Sequence, residues 1–206
     1  MSDAFFKLLD GTDLSTETND GNYDTGGGSF TLIPEGTEVL AMAEEVKWAK
    51  AEGDTAPHIS LRWTILAPDA LKNRKVFQKC RVKEASKEVP AEKRAAKIDS
   101  AKRMFAAIDY NCGGNLLKAG REPSDADLMM HIANKMMVLK VGVIKMRDNS
   151  YMNFVAAVSS KDTKHSTDAD VETAQKRPEF VSMRSAAGST PAGRSGGAPL
   201  DDEIPF

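Results

Sequence analysis

The chain has 206 residues, with 28 Lys and Arg against 30 Asp and Glu and a formal net charge of −2. That length accommodates one domain with a full core plus tails. It carries no run of about 18 apolar residues that could span a bilayer, its start Met1-Ser2-Asp3-Ala4 lacks a basic secretory region, and Cys80 and Cys112 lack the C-x-x-C spacing of a zinc or disulfide framework.

These features predict a cytoplasmic protein, in the host cell cytoplasm if phage-encoded, with no membrane association and no cofactor. The near-neutral total hides a division along the chain. Residues 1–29 hold one Lys against six acids, residues 30–158 hold 21 cations against 16 acids, and residues 159–206 hold six cations against eight acids. A basic middle between acidic flanks suits a polyanion binder whose own ends can compete for the same surface.

Residues 1–29 open with the apolar patch Phe5-Phe6-Lys7-Leu8-Leu9 and run through polar residues to Gly26-Gly27-Gly28. No Lys-Ser or Lys-Thr follows the glycines, so they read as a hinge rather than a phosphate loop, and the segment as a flexible N-terminal arm. Pro34-Glu35-Gly36 marks a turn. Strands are then predicted over 37–50, 57–67 and 75–83, punctuated by Gly, Asp and Pro.

A helix is predicted over about 91–111, because Ile98, Ala101, Met104, Phe105 and Ile108 recur at three- and four-residue steps before Gly113-Gly114. Ser124 with Asp127 forms a capping-box pattern ahead of a short helix reaching about 134. Two further strands, 135–146 and 151–158, follow. The order of three strands, a helix and two strands predicts a mainly β fold: a five-stranded OB-type barrel over residues 30–158, with the helix between strands 3 and 4. From 159 onward Ser, Thr, Gly and Pro predominate, and 159–206 reads as a disordered acidic tail.

The third strand carries the strongest chemical signal. Lys72, Arg74, Lys75, Lys79, Arg81 and Lys83 follow one another with no intervening acid. Side chains alternate across a strand, so Val76, Gln78, Cys80 and Val82 point one way, and Lys75, Phe77, Lys79, Arg81 and Lys83 the other. An unburied aromatic ring among cations suits single-stranded nucleic acid, where cations meet phosphates and the ring stacks on a base.

On the second strand the same parity sends Trp63 into the core and Arg62 outward. Trp48 has the parity of Leu40, Met42 and Val46, which argues for the core, yet Lys47 and Lys50 flank it at a hairpin mouth. On the fourth strand Met137, Leu139, Val141 and Val143 form the apolar face, leaving Gly142 to look outward. Tyr151, near Lys145 and Arg147, is a candidate second stacking platform, and Phe154 on the opposite face is a core candidate. Strict alternation puts Glu44 and Glu45 on opposite faces, which argues against a metal-binding carboxylate pair. No catalytic constellation stands out, and a non-enzymatic protein is predicted.

The sequence ends Asp201-Asp202-Glu203-Ile204-Pro205-Phe206, three acids before an apolar tip. A partner can recognise such a peptide by a cation and an apolar pocket. The segment resembles the C-terminal tip of bacterial and phage single-stranded DNA-binding proteins.

That resemblance, over six residues, implies an OB fold and sequence-independent coating of single-stranded DNA during phage replication, recombination and repair. It also implies recruitment of replication and recombination proteins (polymerase, helicase or nuclease) through the tip. The DNA-contacting set expected on this reading is Lys47, Trp48, Lys50, Arg62, Lys72, Arg74, Lys75, Phe77, Lys79, Arg81, Lys83 and Tyr151. A tail folding back on the basic face would hold off weak duplex DNA binding. A monomer or homodimer is expected. The alternative is a recombination protein that anneals complementary single strands.

Overall fold

Five strands are built on alternating burial. Val39, Ala41, Ala43 and Val46 are buried along β1 (Glu38–Ala49), Ile59, Leu61, Trp63 and Ile65 along β2 (His58–Ala67), and Val76, Gln78 and Cys80 along β3 (Lys75–Cys80). The computed structural model describes residues 32–50, 56–85, 89–146 and 149–187, with side chains as far as residue 183. The expected N-terminal arm and the tip Asp201 to Phe206 lie outside the described residues.

After β3 come three helices: α1 (Ala91–Asn111), α2 (Asn115–Ala119) and α3 (Asp125–His131). Strands β4 (Met136–Lys145) and β5 (Tyr151–Ser159) complete an antiparallel sheet of order β3-β2-β1-β4-β5. The element order matches the sequence reading. The expected closed barrel does not: β3 and β5 approach each other, but no ladder joins them among the described residues, and the sheet is open.

The core lies between the sheet and the helices. Trp63, Leu61, Ile65, Ile108 of α1 and Leu128 of α3 are fully buried in one cluster. Burial of each such side chain contributes roughly 1.5–3 kcal/mol. Trp63 brings a polar N–H inside, and its Nε1 donates to Gln78 Oε1 at 3.0 Å.

Asp109, also buried, accepts from the backbone N–H groups of Leu116 at 3.2 Å and Leu117 at 2.9 Å. It thereby serves the start of α2, where Gly114 at φ +68° supplies no side-chain cap. Ser124 and Asp127 form the expected capping box on α3.

Two expectations besides the closed barrel are corrected. The third strand ends at Cys80 rather than 83, because the chain reverses there with Val82 N donating to Cys80 O at 3.0 Å. The segment from 159 to 187, expected to be part of a disordered tail, carries α4 (Asp168–Gln175) and α5 (Pro178–Ala187). Thr167 and Asp170 cap α4 reciprocally, Val171, Ala174 and Phe180 are buried, and α5 packs against β5. Ser166 joins this segment to β1: its Oγ accepts from Glu38 N at 3.0 Å, and its N–H donates to Glu38 O at 2.9 Å. Few apolar residues suffice there because the sheet already offers a surface to cover.

Phe154 and Gly142 share the face of the sheet opposite the core residues Leu139, Val141 and Val155. A bulge between Lys140 and Val141 shifts the β4–β5 register, and Phe154 lies opposite Gly142. Both are buried, and a Cβ on Gly142 would come within 2.5 Å of the Phe154 ring. Gly142 thus keeps the face that alternation assigns it but is covered there by the Phe154 ring, and Phe154, expected in the core, is buried outside the core cluster.

A candidate nucleic-acid interface on the outer face of β1, β2 and β3

The ladder registers build the site row by row. Lys47 faces Ser60, which faces Lys79; Glu45 faces Arg62, which faces Phe77; and Thr64 faces Lys75. Because neighbours across a ladder share a face, Lys47, Arg62, Lys75, Phe77 and Lys79 are brought together on the side opposite Trp63 and Leu61. Phe77 is 43% exposed, while Val76 and Gln78 on either side of it are buried. The parity of this strand was legible, and the ring is outside the core.

Glu44 and Glu45 overturn their expected placement. The β1–β2 register slips between Ala43 and Glu45, so Glu44 is the extra residue of a β-bulge. Both carboxylates consequently reach Arg62, Glu44 also meeting Lys75 and Glu45 also meeting Lys47. Glu44 Oε2 accepts from Lys75 Nζ at 2.5 Å and from Thr64 Oγ1 at 2.8 Å, and Lys75 Nζ also donates to Thr64 Oγ1 at 2.7 Å.

Arg62 Nη1 lies 3.1 Å from Glu45 Oε2, and Lys47 Nζ lies 2.6 Å from Glu45 Oε1. Arg62 Nε is 3.3 Å from Glu44 Oε2 but lacks hydrogen-bond alignment. Hydrogen bonds from Lys75 and then Thr64 hold the Glu44 carboxyl below its ordinary range, and the hydrogen bond from Lys47 does the same for Glu45. All these groups reach solvent, so the pairs are exchangeable rather than strong.

The remaining expected residues are dispersed. Trp48 lies opposite Ile59 and packs against the core, with its Nε1 donating to Pro123 O at 2.8 Å. Its backbone N–H donates to Asp125 Oδ1 at 2.7 Å. Lys83 Nζ sits 4.8 Å from the centroid of the Trp48 ring and 2.6 Å from Glu122 Oε1.

Trp48 and Lys83 thus line a mainly apolar cavity of about 360 Å³, with Val82, Phe105, Leu116 and Leu117. Ile59 also lines that cavity, which places it on the inner side of the sheet, away from Phe77. Trp48 therefore does not belong to the Phe77 surface: it shares the core face with Val46, whereas Leu40 and Met42, expected on that face, give way to Val39, Ala41 and Ala43 because the bulge at Glu44 reverses the alternation.

Lys72 is exposed and lies 3.7 Å from Asp69 Oδ1. Arg74 is half-buried before β3, and that burial lowers its pKa. Arg81 lies beyond the strand and is also half-buried, whereas Lys50 is exposed at the end of β1. Tyr151 is half-buried on β5 opposite Lys145, at the far edge of the hydrogen-bonded order from β3. Arg147 lies outside the described residues.

The residues missed by sequence reading are Thr64, and Glu44 and Glu45 as counter-ions; a bulge leaves no mark in a two-residue period. Among the described residues no group of three His, Cys, Asp or Glu could hold a metal ion, and no helix is long and apolar enough to cross a membrane. Comparison with known protein families and with curated proteins returns no match.

Proposed function

We propose that this protein coats single-stranded DNA without sequence preference, across the outer face of β1, β2 and β3. The observation that carries the reading is the exposed ring of Phe77 in a row with Arg62 and beside Lys75 and Lys79. Cations spaced along neighbouring strands meet phosphates, while the ring gives one base a stacking surface that any base can use.

The strand order, the approach of β3 to β5 and the insertion of α1 between β3 and β4 support an OB-type topology with an open β3–β5 seam. On this reading the acidic, apolar segment Asp201 to Phe206 recruits replication and recombination proteins, as its resemblance to single-stranded DNA-binding proteins implies. The role is binding and recruitment rather than catalysis.

Anisotropy titrations of labelled oligo-dT and of a duplex of equal length, each at two salt concentrations, test the proposal. Oligo-dT is bound more tightly than duplex, and its affinity falls with salt. Equal affinity for both DNAs, or no binding to oligo-dT at low salt, overturns it.

A further inference from the structure

Three cations of the proposed DNA face, Lys47, Arg62 and Lys75, are held by two carboxylates that a bulge has turned onto the same side of the sheet. We infer that Glu44 and Glu45 are specificity-determining residues that compete with phosphate for these cations and thereby make binding depend on base stacking at Phe77. The inference rests on the proposed single-stranded DNA reading and deepens it.

A strand of strict alternation would have sent one of the two carboxylates into the core face; the extra residue at Glu44 brings both to Arg62. Glu44 Oε2 is the shared acceptor of Thr64 and Lys75, and Glu45 bridges Lys47 and Arg62 through its two oxygens. A buried structural ion network would use these contacts to fix the fold. Here the side chains of Lys75, Arg62, Glu44 and Glu45 are between 33% and 40% exposed, and such pairs exchange readily with another anion.

Charge gives the consequence. Three cations against two carboxylates leave this cluster with one net positive charge, so phosphate alone gains little from it. A rigid duplex, whose bases cannot reach Phe77, is offered only that weak field and two neighbouring carboxylates that repel it. A single strand can turn a base onto the ring while a phosphate displaces a carboxylate from Lys75 or Arg62. The acids therefore suppress the binding mode common to all polyanions and spare the one that needs an unpaired base.

The test compares the full-length protein with E44Q/E45Q and, separately, E44Q and K75A, using oligo-dT and duplex titrated over a range of salt. Glutamine keeps the shape and an acceptor for Thr64, and a thermal melt checks that each variant is folded. The expected result is tighter binding of both DNAs by E44Q/E45Q, with a larger gain for duplex. The slope of log affinity against log salt steepens by up to about 1.4 for oligo-dT and about 1.8 for duplex as two more cations become effective.

E44Q alone shifts both quantities in the same direction by a smaller amount, and it carries the test if the double variant does not fold. Unchanged or weaker binding by the glutamine variants, while K75A still loses oligo-dT affinity, overturns the inference and leaves the DNA-binding reading intact. Failure of the wild-type protein to bind oligo-dT overturns the reading and the inference together.

Discussion

Phe77 stands directly across the β2–β3 ladder from Arg62, and Arg62 in turn faces Glu45 on β1, so the ring, the guanidinium and a carboxylate form one row on the outer face. The ring is the uncharged member of that row. Phe77→Ala is therefore expected to weaken oligo-dT binding by ~1–3 kcal/mol, the value of one base stack, with the salt slope unchanged. Its partial exposure predicts little loss of thermal stability. Anisotropy titration at three salt concentrations checks both parts, and restored affinity in Phe77→Trp distinguishes stacking from a packing effect.

Lys79 lies beside Phe77 and opposite Ser60, in the same row as Lys47. If it neutralises one phosphate, Lys79→Ala lowers the magnitude of the oligo-dT salt slope by roughly 0.7. A slope indistinguishable from wild type would remove Lys79 from the phosphate path.

How much of this was readable from the residues depended on whether the physical rule was local. The parity of Val76, Phe77 and Gln78 follows from the pleat alone, and the reading of β3 up to Cys80 matches the structure. The Ser124 to Asp127 cap is equally local. Glu44 and Trp48 depended on something the chain does not spell out: a bulge that consumes one residue, and a distant Pro123 carbonyl that receives the indole N–H.

The α4 and α5 segment was hidden by its polar composition. Its signal was nevertheless present, since Thr167 and Asp170 repeat the Ser124 and Asp127 spacing, and Val171, Ala174 and Phe180 supply the small apolar stripe. The open seam between β3 and β5 is a matter of how two edges meet, which alternation along one strand does not encode.

Asn153 clamps the chain just before β1. Its Oδ1 accepts from Ile33 N at 2.7 Å, and its Nδ2 donates to Ile33 O at 2.8 Å and to Gly142 O at 3.2 Å, all in a buried setting. Asn153→Ala leaves the Ile33 amide and carbonyl without these partners, and a buried unsatisfied group costs ~1–3 kcal/mol. Urea unfolding is expected to show a lowered midpoint with an unchanged m-value.

The two thiols are predicted to be inert at neutral pH. Full burial pushes Cys80 up to about 12, and partial burial, reinforced by the Asp109 charge, pushes Cys112 up to about 11. Thiolate, the reactive form, is scarce at pH 7 for both. A thiol reagent such as DTNB should label neither cysteine in the native protein and both in denaturant; rapid native labelling of Cys112 would contradict this assignment.

Acid sensitivity should be traceable to the helix caps. Asp127 is held well below the usual carboxylate range, first by the hydrogen bond from the Arg121 guanidinium and then by those from Ser124, and Asp170 is lowered by the Thr167 backbone and hydroxyl. An aspartate in the unfolded chain titrates near 3.9. Below that pH the unfolded chain takes up a proton that the native caps resist, so the native state loses relative stability as pH falls toward the depressed values. Above it, the contribution is fully present.

Asp127→Asn is thus expected to melt at a lower temperature than wild type near pH 6. The difference should shrink as pH falls through about 4 and below, because wild type then loses the charged cap that the variant never had. Parallel melts from pH 6 to pH 2 measure this, and a gap that stays constant across the series would mean that the cap stabilises α3 by shape rather than by charge.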